Sequence, residues 1–191
     1  MTAIFEFSSG ILVIVVGLAI THLIAGLGSI IRYRTGLEFS WLPVVWMMVW
    51  LLVLVGWCYA IWDMLHEVET LEYTHFLVFF FVSIFFYLAA RLITPDVGRE
   101  SNLSLADAFF DTKTAFFLSS AAGLAVITVY VWSLDGVIET LGTLDGFLGS
   151  ALLALMISGA FLRTLKSHWI LLCVWTTTYL YQQFIQGALV L

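Results

Sequence analysis

Charge is what this chain has least of. Of its 191 residues only 10% are Asp, Glu, Lys or Arg, 62% are hydrophobic, and the mean hydropathy is +1.07. A water-soluble domain carries far more charge, which excludes a separate soluble domain. Basic residues are scarcer still. There are seven, they form no patch that could grip a phosphate backbone, and no nucleic-acid partner is expected. Cysteine occurs twice. Cys58 and Cys173 fall near opposite ends of separate apolar runs, farther apart in depth than the roughly 7 Å a disulfide spans, and read as buried thiols. No Lys or Arg precedes Arg32, so there is no basic segment of the kind a cleavable signal peptide needs, and the first apolar run is expected to stay as a helix. Walker, nucleophile-elbow, His-Glu-x-x-His and Cys-x-x-Cys patterns are absent too, and with them any visible arrangement for nucleophilic catalysis.

What the chain has is long apolar runs. A transmembrane helix needs about 17–25 such residues, and runs of that kind lie at about 10–31, 41–62, 74–94, 114–133, 147–163 and 168–190. The fifth is at the short limit, where Arg163 can snorkel to the surface. Arg32 and Arg34 follow the first run. Arg91 ends the third, with Arg99 and Lys113 just beyond, and Arg163 and Lys166 separate the fifth and sixth. All seven basic residues thus fall on one side, as the positive-inside rule requires. The pattern predicts an all-α integral membrane bundle of six transmembrane helices with both termini periplasmic. A bacterial inner membrane and its lipid bilayer are the expected setting.

Between the runs, Pro95 stops the third. Ser104-Leu-Ala-Asp107 resembles a capping box, and with Leu105, Ala106, Phe109 and Phe110 on one face it predicts a short amphipathic helix on the inner leaflet. Residues 134–146 repeat Leu-Asp-Gly and predict two turns around a short helical piece. Small residues let membrane helices approach closely, so Gly10, Gly17 and Gly28, with Thr21, are expected to form a packing face on the first helix. Trp46, Trp50 and Trp57 share a face of the second and read as packing residues, while Trp41, Trp62, Trp132 and Trp169 fit interfacial belts.

Two constellations are candidates for chemistry. His22 lies near the middle of the first run, where an ionisable residue is costly and marks a candidate site. Thr178, Gln182 and Gln186 line one face of the sixth run at comparable depth. Together with Thr21 and His22 they are expected to form a polar intramembrane site, either a proton or substrate path or a set of interhelical hydrogen bonds. The second constellation is Asp63, His66, Glu72 and His75 between the second and third runs, with an acid and a His at i, i+3 as in di-iron bundles. It reads either as a metal site or as a solvated acidic loop. No other histidine matches the depth of His22, so bis-His haem ligation through it is not expected, and the cofactor is unknown.

The run Val16-Gly17-Leu18-Ala19-Ile20-Thr21-His22-Leu23-Ile24-Ala25-Gly26 resembles the first helix of a group of uncharacterised small six-span bacterial inner-membrane proteins. Trp57…Trp62-Asp63 and Phe85–Asp96 fit the same pattern, over roughly the first 110 residues. The resemblance implies location and no activity. Three function classes follow. The foremost is a non-enzymatic accessory or scaffold subunit of a membrane complex, or a homo-oligomer. The others are a small transporter or channel using His22 and the Thr/Gln stripe, and a metal-binding membrane enzyme using the His66/His75 cluster.

Overall fold

The computed structural model describes residues 3–67, 73–97 and 103–189, with the side chains of 3–9, 64–67, 135 and 184–189 left out. These residues form seven α-helices: α1 (Ala3–Arg32), α2 (Trp41–Glu67), α3 (Tyr73–Ile93), α4 (Leu105–Asp135), α5 (Val137–Gly142), α6 (Leu144–Phe161) and α7 (Leu165–Leu189). Five of them, α1, α2, α3, α4 and α6, are long and apolar enough to cross a membrane. The architecture is all-α and fits a multi-pass membrane protein. α7 is 25 residues long and is not among those five.

The helix ends follow from local chemistry. The Ser104 hydroxyl accepts from the Asp107 N–H at 3.4 Å and starts α4. No short inner helix is separate from it. Leu105–Phe110 are the first turns of one continuous 31-residue helix, because nothing between Ser104 and Gly136 breaks the hydrogen-bond ladder. Gly136, at φ +84°, ends α4 and begins the single short helix α5. Thr143 then caps α6 by accepting from the Gly146 N–H at 3.1 Å, and Thr164 caps α7 by accepting from Ser167 at 3.2 Å.

In lipid the hydrophobic effect does not press helices together, so packing and interhelical hydrogen bonds must. α2 is central, touching α1, α3, α4 and α7, while α4 packs on α3 and α6, and α6 on α7. Trp46, Trp50 and Trp57 of α2 are buried. Trp46 meets Phe116 and Phe117 edge-on, Trp50 meets Phe86 and Phe116, and Trp57 stacks on Phe79 at 5.4 Å. Trp50 Nε1 donates to the Phe86 carbonyl at 3.1 Å and Trp57 Nε1 to Ser83 Oγ at 3.0 Å. α4 approaches α3 at Gly123, where a Cβ would lie 2.7 Å from Phe86, and α6 approaches α4 at Gly159, 2.6 Å from Phe117.

The expected glycine face of α1 is not the packed one. A Cβ at Gly10, Gly17 or Gly28 would meet nothing within 4 Å. α1 instead buries Leu12, Val16, Ala19, Leu23 and Ile30. These side chains carry the dispersion contacts, and only Gly26 on that side makes a close approach, to Thr94 just past the end of α3.

The end that carries the basic residues is tied down by polar contacts. Leu37–Glu38 (β1) and Leu103–Ser104 (β2) pair in parallel. Lys113, 8% exposed, donates to the Ala160 carbonyl in the last turn of α6 at 3.2 Å, where a cation suits the helix dipole. His168 is fully buried against Phe109, Phe110 and Phe117 because α4 extends so far.

Candidate functional site

The polar residues singled out from sequence do not converge. His22 faces Arg91 of α3, whose Nη1 lies 3.2 Å from Nε2 and 3.4 Å from Nδ1. A guanidinium only donates, so the imidazole nitrogen accepts. Arg91 is in the last turn of α3. The contacts His22–Arg91 and Gly26–Thr94 set α1 and α3 side by side in one direction. His22 is therefore level with the basic end of α3, not with the middle of the bundle. Thr21 is exposed and its hydroxyl donates to the Gly17 carbonyl at 2.8 Å, and Thr178 does the same to Val174 at 2.8 Å. Gln186 lies outside the described side chains. α1 packs on α2 and α3 while α7 packs on α2 and α6, which separates His22 from Gln182.

Gln182 has a different partner. Its Nε2 donates to Asp145 Oδ1 in the first turn of α6 at 2.7 Å. A carboxylate suits that position, because the unsatisfied N–H groups of a helix start carry partial positive charge. α5 holds this turn in place. A Cβ on Gly146 would run into the Thr140 carbonyl, and Thr143 Oγ1 donates to that same carbonyl at 2.7 Å. The glycine lets α5 lie across the start of α6.

The Asp145–Gln182 pair sits on a chain of hollows between α4, α6, α7 and α2. The outermost, about 430 Å³, is lined by Glu139, Thr140, Thr143 and Asp145. The middle one, about 200 Å³, shares Asp145, Thr140 and Gly146 with it and adds Thr128, Ser150 and Gln182. The deepest, about 210 Å³, shares Thr128, Gly149 and Gln182 with the middle one, and Trp50, Trp57, Phe86, Trp175 and Tyr179 line it. The three hollows are thus neighbours, from the acidic end to the aromatic core, and Gln182 lines the last two.

α7 contributes Trp175, Tyr179 and Gln182, spaced i, i+4, i+7 along one face. Trp175 and Tyr179 stack at 5.3 Å with planes 9° apart, and the Tyr179 hydroxyl rests against Gly56 of α2, where only glycine leaves room. Trp175 is 1% exposed, and its Nε1, like that of Trp132 in the middle hollow, has no hydrogen-bond partner among the described residues. Asp145, Trp175 and Tyr179 were not candidates from sequence. The i, i+4, i+7 spacing with Gln182 was the available signal.

No group of three or more His, Cys, Asp or Glu gathers among the described residues. Of the four metal candidates, Asp63 is exposed and His75 meets the Tyr130 ring edge-on at 5.7 Å. Glu72 and the His66 side chain lie outside the described residues. Cys58 and Cys173 are free thiols, Cys173 exposed. No protein family, curated protein or solved structure matches the chain.

Proposed function

We propose that this chain is a six-span protein of a bacterial inner membrane that admits a small molecule from the periplasmic side into the hollows between α4, α6 and α7, as a small transporter or channel does. One observation carries the reading: the 2.7 Å Gln182–Asp145 hydrogen bond stands on the walls of successive hollows that lead inward from the acidic end. Polar groups this far along a membrane helix belong beside protein or water, not lipid. α7 is the sixth span. Its 25 residues reach about 37 Å at about 1.5 Å per residue, enough for a hydrocarbon core of about 30 Å. With all seven basic residues at one end, that end is cytoplasmic and both termini are periplasmic.

Side-selective thiol labelling tests this. In a chain carrying Cys58→Ala and Cys173→Ala, an impermeant maleimide applied from the periplasm should modify Thr128→Cys. Arg34→Cys should react only from the cytoplasm. If Glu139→Cys reacts and Thr128→Cys does not, the hollows are sealed and the reading fails.

A second reading has its own observation. Gly10, Gly17 and Gly28 turn outward with open space in front of them, beside exposed Val13, Ile14, Leu18 and Ile24. That surface suits a neighbouring membrane helix, and it favours an accessory subunit or a homo-oligomer. Replacing Gly17 with Leu would dissociate such an assembly. An unchanged assembly would remove this reading.

A further inference from the structure

The hollows differ in chemistry along their length, and the order of that change points to a ligand class. We infer that the site takes a small organic cation, a quaternary or protonated amine. This rests on the reading that the hollows admit a small molecule.

The outer hollow carries two acids, Glu139 and Asp145, and the sequence has no Lys or Arg between Lys113 and Arg163. A mouth lined by one sign of charge concentrates ions of the opposite sign and repels its own. Anions are disfavoured before they reach the interior.

The deep hollow has no charged side chain on its wall. A bare metal ion entering it would lose its water and gain no carboxylate. An organic cation is better served, because aromatic rings attract cations and the attraction grows as water is removed. Trp50, Trp57, Trp175 and Tyr179 all line this space. Trp50 and Trp57 have already given their N–H groups to Phe86 and Ser83. Trp50 is fully buried, so the ring surface left for a ligand is that of half-buried Tyr179 and, to a small extent, Trp57. Trp175 is closed off as well, 1% exposed and with its Nε1 buried. At about 210 Å³ the hollow exceeds the roughly 150 Å³ cavity that accommodates benzene, so a cation of that size fits.

The test uses the purified full-length chain in lipid nanodiscs, with choline as probe and 3,3-dimethylbutan-1-ol as its neutral isostere. Binding is followed by calorimetry. Choline should bind at least about tenfold more tightly than the alcohol. Asp145→Asn should weaken choline about tenfold and leave the alcohol unaffected. Asp145 also lies in the first turn of α6, so that variant can fail to fold. Glu139→Gln, at an exposed position, then serves, and should weaken choline about twofold, an effect that disappears in high salt. Tyr179→Leu removes the accessible ring from the wall and should weaken choline more than it weakens the alcohol. His22→Ala should change none of these values.

Equal binding of choline and the alcohol would overturn the cation assignment and leave an apolar site in place. If neither binds while Thr128→Cys is still labelled from the periplasm, the ligand class is wrong and the open hollow stands. If neither binds and Thr128→Cys is unreactive, the underlying reading falls as well.

Discussion

Two polar pairs bridge helices in this bundle, and they occupy opposite ends of it. At the basic end Arg91 reaches His22 across α3 and α1. At the acidic end Gln182 reaches Asp145 across α7 and α6. His22 is the ionisable residue of the two inward partners and therefore the more conspicuous in a sequence. Yet it is level with the last turn of α3, where a long guanidinium can satisfy it from the interface. Gln182 has no charge to advertise, but it stands between successive hollows. What separates the two is the space around them, not their polarity.

Four substitutions would break or sharpen that contrast. The largest effect is expected at Gly56, against which the Tyr179 hydroxyl rests. Gly56→Leu would drive α7 from α2. Overpacking costs about 1–3 kcal/mol, equivalent to a fall in Tm of about 3–10 °C, and choline binding should be lost with it. An unchanged melting curve would mean that α7 is not seated there.

Gln182→Leu comes next. It takes the amide donor from Asp145 and should cost about 1–3 kcal/mol, with weaker choline binding measured on the same sample. His22→Ala should cost less. Interhelical polar contacts in membranes average about 0.6 kcal/mol, and Arg91 can turn toward the basic surface. A double cycle with Arg91→Ala measures that coupling directly. A value above about 2 kcal/mol would place His22 among the strongest such contacts and reverse the ranking. The smallest effect on the fold is expected for Gly17→Leu, under about 0.5 kcal/mol, because the space in front of it is open. Its readout is the oligomeric state.

Much of the fold was legible from the apolar runs. The expected second span, about 41–62, starts with α2 at Trp41, and the third, about 74–94, falls on α3 to within a residue at either end. The cap at Ser104, and the short helical piece expected within 134–146, follow from turn chemistry. The rotation of each helix about its axis was not legible. Thr21 and Thr178 satisfy their hydroxyls on carbonyls four residues back, so neither needs an inward face. The Thr178–Gln182–Gln186 and Trp175–Tyr179–Gln182 stripes share one residue, and stacking and shape select the second. On α1 the bulk of Leu12, Val16 and Leu23 outweighs the convenience of small residues. The depth of His22 depends on how far α1 slides along α3, which only the contacts Gly26–Thr94 and His22–Arg91 reveal.

The central claim is that the route into this bundle runs from the acidic end past Gln182 and not past His22. Its most direct measurement compares two single-cysteine chains, Ser150→Cys in the middle hollow and His22→Cys on α1, each labelled with an impermeant maleimide from either side of sealed vesicles. The account predicts that Ser150→Cys reacts from the periplasmic side alone and that choline slows the reaction, while His22→Cys is indifferent to choline. Reaction of His22→Cys from the periplasmic side, slowed by choline, with Ser150→Cys inert, would contradict it.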